Sequence, residues 1–318
     1  RTFSIIGSAG TGKTTLINAV LAEVRKDPSL KNKNIILTSP THRANAVIRS
    51  KNPGEKILTL HKLLGLKPTV DIENFDAKKL EFEAEDSDNG LGEDTVIIID
   101  ESSMINDGLF KYLQQTLSAN PGLQIIFMGD AAQLGPVKQN TDSKALTGTE
   151  DRAELTKVMR AKNAALLDES IHVRQEGDFS NKKNMDKGKG VNFTNTVSGF
   201  IQHAVKFYQS DAFVKNPLLL RVVAATNQAV TDFNKAIRSS LFGSDDAPLQ
   251  KGELLMGYAS FGRANANGTT AISNGVDYII QSVGRPATVR VLGVPMQVSN
   301  ATIKDVFGLS LFLLLFAW

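Results

Sequence analysis

Gly7-Ser8-Ala9-Gly10-Thr11-Gly12-Lys13-Thr14 is the stretch that decides the fold. It fits G-x-x-x-x-G-K-[ST] at every fixed position. Phe3-Ser4-Ile5-Ile6 before it reads as a buried strand, and a helical pattern, Thr14–Lys26, follows. Glycines let such a loop wrap so that its N–H groups point at a phosphate. Lys13 is placed to reach β and γ oxygens, the Thr14 hydroxyl suits Mg²⁺, and the helix start adds its positive end. The nucleotide-binding set is therefore Gly7, Ser8, Ala9, Gly10, Thr11, Gly12, Lys13, Thr14 and Thr15.

Further apolar runs rich in β-branched residues stand at 35–38, 96–99, 124–128 and 220–226. Helical patterns at Arg43–Lys51, Gly108–Ser118 and Ala165–Gln175 lie among them. Such alternation predicts an α/β fold with a mostly parallel sheet and helices on both faces. Val96-Ile97-Ile98-Ile99 is the continuous run expected of a strand buried on both sides. It ends in Asp100-Glu101. That places Asp100 at the sheet's carboxyl edge, where it can hold Mg²⁺, with Glu101 beside it able to orient and deprotonate a water. Gly129-Asp130 and Gln133 follow the run 124–128, putting a carboxylate and an amide at the same edge, able to sense a γ-phosphate.

Composition narrows the classes. The 318 residues are 42% apolar and 22% charged, which excludes wholesale disorder. The absence of cysteine excludes disulfides and thiol nucleophiles, and it fits an intracellular compartment. The four histidines (His42, His61, His172 and His203) lack metal-ligand spacing. Residues 71–94 hold ten acids against Lys78 and Lys79, a local charge of −8. With +3 overall, the remainder carries +11: a basic body with an acidic insertion. Ser180–Val191, with four lysines, reads as a linker or exposed loop. Leu309–Trp318 is apolar but too short to span a bilayer, which needs ~20 residues. The first residues read as a strand with no leader before them, so both ends suggest a piece of a longer protein. A GTPase would need N-K-x-D, and no Asn-Lys pair here has Asp two residues beyond it.

The segments GSAGTGKTT (7–15), SPTHRAN (39–45), TLHKLLG (59–65), IIIDES (97–102) and GDAAQLGPV (129–137) stand in the order and spacing of one family. In this the sequence resembles superfamily 1 DNA helicases, most closely the Dda-like and RecD-like 5′→3′ group. LTKVMR (155–160) resembles the family's next motif and Ala225-Thr226-Asn227 a later one. The likeness runs from residue 3 to about 260.

The resemblance implies a P-loop NTPase with two RecA-like parallel-sheet domains. The first takes 1–66 and 95–150, with an acidic β-hairpin (pin) inserted at 67–94. An incomplete second takes 151–243, and a partial β-rich accessory domain 244–318. The cofactors implied are ATP and Mg²⁺. Lys13, Glu101, Gln133 and Arg160 would be catalytic, Arg160 as arginine finger from the second domain, with Thr14 and Asp100 on the metal. Pro40, Thr41, His42, Thr59, His61, Phe82, Thr226 and Asn227 would meet DNA. Phe82, with Phe75 as alternative, would be the wedge; the competing reading has both rings anchoring the hairpin. Single-stranded and forked DNA are the implied partners, with a single-strand-binding protein a further one. The protein would act as a monomer, away from membranes, in the cytoplasm of a bacterial or phage-infected cell. A later histidine-containing DNA motif and a terminal arginine motif find no match. Two alternatives therefore stay open: a fragment that binds nucleotide and DNA without unwinding, and an ATP-driven translocase. Polarity comes from the resemblance alone, and RNA stays open as a substrate.

Overall fold

The computed structural model describes residues 1–69, 81–84, 91–92, 94–136, 139–149, 151–159, 163–186, 189–245, 249–257, 272, 275–285, 287–291, 294–305 and 310–316. The chain divides into two compact units, Arg1–Ser180 with Asn184–Val191, and Asn181–Lys183 with Asn192–Trp318.

The first unit begins β1 (Thr2–Gly7), α1 (Lys13–Lys26), β2 (Asn34–Ser39), α2 (His42–Lys51), β3 (Lys56–Thr59) and α3 (Leu60–Leu63). It continues with β4 (Leu66–Thr69), β5 (Glu81–Ala84), β6 (Thr95–Ile99), α4 (Asp107–Ala119), β7 (Gln124–Gly129) and α5 (Lys144–Thr147). β8 (Arg152–Leu155), α6 (Ala164–Glu176), β9 (Asn184–Asp186) and β10 (Lys189–Val191) complete it. Six strands make one sheet in the order β3-β2-β6-β7-β1-β8, every pair parallel.

Side chains that alternate along each strand divide into two apolar clusters, one per face. Ile36, Ile97, Ile99, Ile125 and Phe127 pack with Leu109 and Leu113 of α4. Ile5, Leu37, Ile98 and Met128 pack on the other face with Ile17 and Leu21 of α1 and Ile48 of α2. Burial on both faces is why these strands read as unbroken apolar runs.

The structure departs from the sequence expectations in three places. The first sheet runs past residue 150, because β8 pairs with β1 from Ser4↔Arg152 to Gly7↔Leu155. Arg152, Ala153 and Glu154 are exposed, so this edge strand carries no apolar signature. Within Ser180–Val191, β9 and β10 form an antiparallel hairpin instead of a linker throughout. The run 220–226 forms no strand: nothing among the described residues pairs with it, and Val223 is 85% exposed. A β-branched run makes a strand only when a neighbour takes up its backbone groups.

β4 and β5 pair antiparallel, from Leu66↔Ala84 to Thr69↔Glu81, within the acidic insertion. In the second unit, α7 (Val197–Tyr208), α8 (Asp211–Lys215) and α9 (Asn227–Phe242) precede the strands β11 (Leu254–Met256), β12 (Asp277–Val283), β13 (Ala287–Val291), β14 (Val294–Asp305) and β15 (Ser310–Phe316). These strands form one antiparallel sheet, β11-β12-β14-β13, with β15 on β14. Phe200 of α7 meets Phe233 of α9 edge-on at 5.4 Å. No helix among the described residues is long and apolar enough to cross a membrane.

Candidate nucleotide site and the adjoining strand edge

The loop between β1 and α1 is shaped by its glycines. Gly12 sits at φ 96°, a left-handed conformation that only glycine adopts freely, and it opens α1 with no side-chain cap. The first-turn N–H groups of α1 are thus left for an anion, favoured there by the helix dipole. A Cβ on Gly7 would lie 2.7 Å from Thr11 Oγ1 and 3.0 Å from Leu155 Cβ, so the close packing of loop and β8 requires glycine. Thr11 Oγ1 closes the turn by donating to the Ser8 carbonyl at 2.9 Å. Lys13 Nζ donates back to the carbonyls of Gly7 at 2.6 Å and Ser8 at 3.2 Å.

β6 delivers Asp100 and Glu101 to the same edge. Asp100 is buried, and its N–H donates to the Thr38 carbonyl of β2 at 2.9 Å. Burial pushes its carboxyl above the usual carboxylate range, while the Glu101 N–H and the Lys13 ammonium pull it back. Glu101 adopts φ 56° and ψ 38°. Burial raises its pKa too, helped by the charges of Asp100 and Asp130 and opposed by Lys13. Lys13, Asp100, Glu101 and Asp130 therefore share one electrostatic neighbourhood.

Asp130 follows β7, which lies between β6 and β1. Its Oδ1 accepts from the Ala132 N–H at 3.1 Å and from Arg174 Nη1 at 2.8 Å. Its Oδ2 accepts from Gln133 Nε2 at 3.3 Å. Arg174, on α6, escapes a sequence reading, because one arginine in a helix looks like any solvated charge. Arg160 lies outside the described residues, but the N–H of Met159 beside it donates to the Gly10 carbonyl of the phosphate loop at 2.8 Å.

Among the described residues, no group of three or more His, Cys, Asp or Glu gathers to hold a metal. Thr14 and Asp100 offer hard oxygen donors, a set that suits Mg²⁺, which takes few protein ligands beside substrate phosphates and water.

β2 and β3 carry the DNA candidates of the first unit side by side, since Ser39 pairs with Thr59. Pro40 precedes α2. Thr41 caps it, Oγ1 accepting from the Ala44 N–H at 3.2 Å, and Thr59 caps α3, accepting from the Lys62 N–H at 3.3 Å. A capping oxygen keeps its own O–H to donate. Loss of solvation lowers the pKa of both His42 and His61; Arg49 adds to it at His42, and His42 at His61. Both shifts favour the neutral ring. Phe82 stands on β5 opposite Pro68. Phe75 lies outside the described residues. In the second unit, Thr226 caps α9 and Asn227 begins it, both exposed.

A parallel sheet with a phosphate loop after β1, an Asp-Glu pair after β6 and a second carboxylate after β7 between them defines a P-loop nucleoside-triphosphatase fold. Residues 1–139 match the family described as AAA domain. The chain is 32% identical over 249 residues to the ATP-dependent DNA helicase dda of Enterobacteria phage T4, covering 76% of this chain and 53% of that protein. It is 31% identical over 161 residues to the ATP-dependent RecD2 DNA helicase of Deinococcus radiodurans (50% and 20%). It is also 31% identical over 153 residues to the RecBCD enzyme subunit RecD of Buchnera aphidicola from Acyrthosiphon pisum (43% and 23%). In sequence the chain is thus similar to proteins of the Dda and RecD kind. It spans about half the length of the phage relative.

Proposed function

We propose that this chain carries the ATP-binding motor of a DNA helicase that couples Mg²⁺-ATP hydrolysis to 5′→3′ movement along single-stranded DNA and to duplex separation. The observation that carries the reading is that the parallel neighbours β6, β7 and β1 deliver Asp100 and Glu101, Asp130, and the loop bearing Lys13 to one sheet edge. The strand ends bearing Thr41, His42, Thr59 and His61 continue that edge.

In this reading Lys13 exchanges the carbonyls of Gly7 and Ser8 for β and γ oxygens. Thr14 and Asp100 hold Mg²⁺, which neutralises phosphate charge. Glu101 accepts the proton of the attacking water, and its raised pKa makes it a stronger base than a free carboxylate. Gln133 reports the γ-phosphate, and Arg160 stabilises the charge that spreads in the transition state. Pro40, Thr41, His42, Thr59 and His61 track the DNA backbone and bases; Thr226 and Asn227, in the second unit, are separate DNA candidates. The partners are single-stranded and forked DNA and a single-strand-binding protein, met by a monomer in the cytoplasm of a bacterial or phage-infected cell.

The test is DNA-stimulated ATPase followed by unwinding of a forked duplex carrying either a 5′ or a 3′ tail. Turnover abolished by Lys13→Ala, with unwinding from the 5′ tail only, is the expected result. ATPase and DNA binding without unwinding would select the binding fragment. Movement without strand separation would select a translocase.

A further inference from the structure

Asp130 is more enclosed than a phosphate sensor requires. Its side chain is 2% exposed. A carboxylate so enclosed has little water to solvate it and leans on the donors around it. Ala132 N–H and Gln133 Nε2 are neutral donors, so Arg174 supplies the only full positive charge in contact with it among the described residues. Arg174 comes from α6, 44 residues further along the chain. The segment leading into α6 is itself tied to the phosphate loop by the Met159 N–H on the Gly10 carbonyl. α6 itself thus meets the nucleotide edge through Arg174 on Asp130.

We infer that Arg174 is a positioning residue of the γ-phosphate sensor: by neutralising and orienting Asp130, it sets how readily the Gln133 amide leaves that carboxylate for a γ-phosphate. The inference rests on the nucleotide-binding reading above. Two consequences have the same sign. Without Arg174, Asp130 stands as an uncompensated anion near the place a γ-phosphate would occupy, and repels it. The bare carboxylate also grips the Gln133 amide more strongly, because a hydrogen bond to an unneutralised charge is the stronger one. Both weaken nucleotides that carry a γ-phosphate and leave the diphosphate untouched.

Binding of fluorescent ADP and of the non-hydrolysable triphosphate AMP-PNP, each with Mg²⁺, tests this without depending on turnover. Arg174→Gln is expected to weaken AMP-PNP roughly tenfold, the scale of one charge-assisted contact. ADP affinity should hold. Arg174→Lys, which keeps the charge, should restore most of the loss. Combining Arg174→Gln with Gln133→Ala should cost less than the two single losses together, since both act through one contact.

An unchanged AMP-PNP to ADP ratio in Arg174→Gln overturns the inference, as does an equal loss of both nucleotides. If the wild-type chain binds neither, the nucleotide reading itself falls and takes the inference with it. Should Arg174→Gln not fold, Asp130→Asn/Arg174→Gln buries no unpaired charge and serves instead. Its ratio should equal that of Asp130→Asn alone. A further drop would mean that Arg174 acts without Asp130, and the inference would be wrong.

Discussion

The backbone N–H of Glu101 donates to the carboxylate of Asp100 at 2.9 Å, and Glu101 itself sits in the left-handed region at φ 56°. For a residue with a Cβ that conformation costs about 1–2 kcal/mol, and such strain gathers at functional sites. The bond fixes the backbone, so the Glu101 carboxylate is left for chemistry. Glu101→Gln keeps the shape and removes the proposed base. Nucleotide affinity should stay within about twofold, while ATP turnover falls by roughly a hundredfold or more, the usual weight of a general base. Steady-state ATPase and nucleotide titration on the same preparation check this; turnover at the wild-type rate assigns the base elsewhere.

Asp100 gives a stability prediction whose sign follows from its environment. Burial raises its folded pKa above the unfolded value, so ionisation in the folded state is disfavoured. The folded chain binds the proton more tightly than the unfolded one, and stability falls as pH rises through this window. Asp100→Asn removes the charge and keeps an oxygen to accept from Glu101. It should melt a few degrees higher than wild type at pH 7, a gain of order 1 kcal/mol. The gain should shrink as pH is lowered through the raised pKa, where the wild-type carboxyl is already neutral. Thermal melts across pH 4–8 without nucleotide decide it; equal melting at pH 7 would show that the Lys13 attraction offsets burial. Mg²⁺-dependent nucleotide affinity should weaken in the same variant.

What could be read in advance was local. The phosphate loop, the Asp-Glu pair and the long strands announce themselves within a few residues, through glycine spacing and through apolar runs that both sheet faces demand. What could not be read was the partner of each group. β8 is a strand because β1 has an edge to fill, not because Arg152-Ala153-Glu154-Leu155 resembles one. The run 220–226 looks more like a strand than β8 does and has no described partner to make it one. Gly190 and the lysines around it suggested a loop, yet β10 folds back on β9, and a Cβ at Gly190 would lie 2.2 Å from the Asn184 carbonyl oxygen. Arg174 meets Asp130 across 44 residues, a distance at which no spacing rule operates.

If His42 and His61 lie on the proposed DNA path, binding should depend on pH in a defined direction. His42 and His61 have lowered pKa values, so both are neutral at pH 7 and take up protons only below the free-imidazole value of 6.5. Protonated rings attract phosphate. Single-stranded DNA affinity should therefore rise as the pH falls below 6.5, and His42→Gln/His61→Gln should flatten the rise. Affinity should also fall with salt, because the chain outside the acidic insertion carries +11. Each phosphate neutralised adds about 0.7 to the slope of log K against log salt for a single strand. Fluorescence anisotropy at fixed salt across pH, then at fixed pH across salt, measures both. A variant that keeps the full pH response removes the two rings from the DNA path.

Phe82 tests the acidic insertion. It stands on β5 opposite Pro68 of β4, in the antiparallel pair that leaves the main sheet after α3. A ring there that stacks on the last base pair of a fork would contribute about 1–3 kcal/mol per base. Lost at each melting step, that is a factor of roughly ten to a hundred in rate. Phe82→Ala in the intact protein should therefore slow forked-duplex unwinding by that factor. DNA-stimulated ATPase should stay near wild type, because neither Lys13 nor Glu101 belongs to the hairpin. If Phe82 instead anchors the hairpin, the variant should lose thermal stability, and unwinding and ATPase should decline with it. Unwinding, ATPase and melting temperature measured on one preparation separate the two cases. Full unwinding with an unchanged melt would remove Phe82 from the mechanism and pass the wedge role to Phe75.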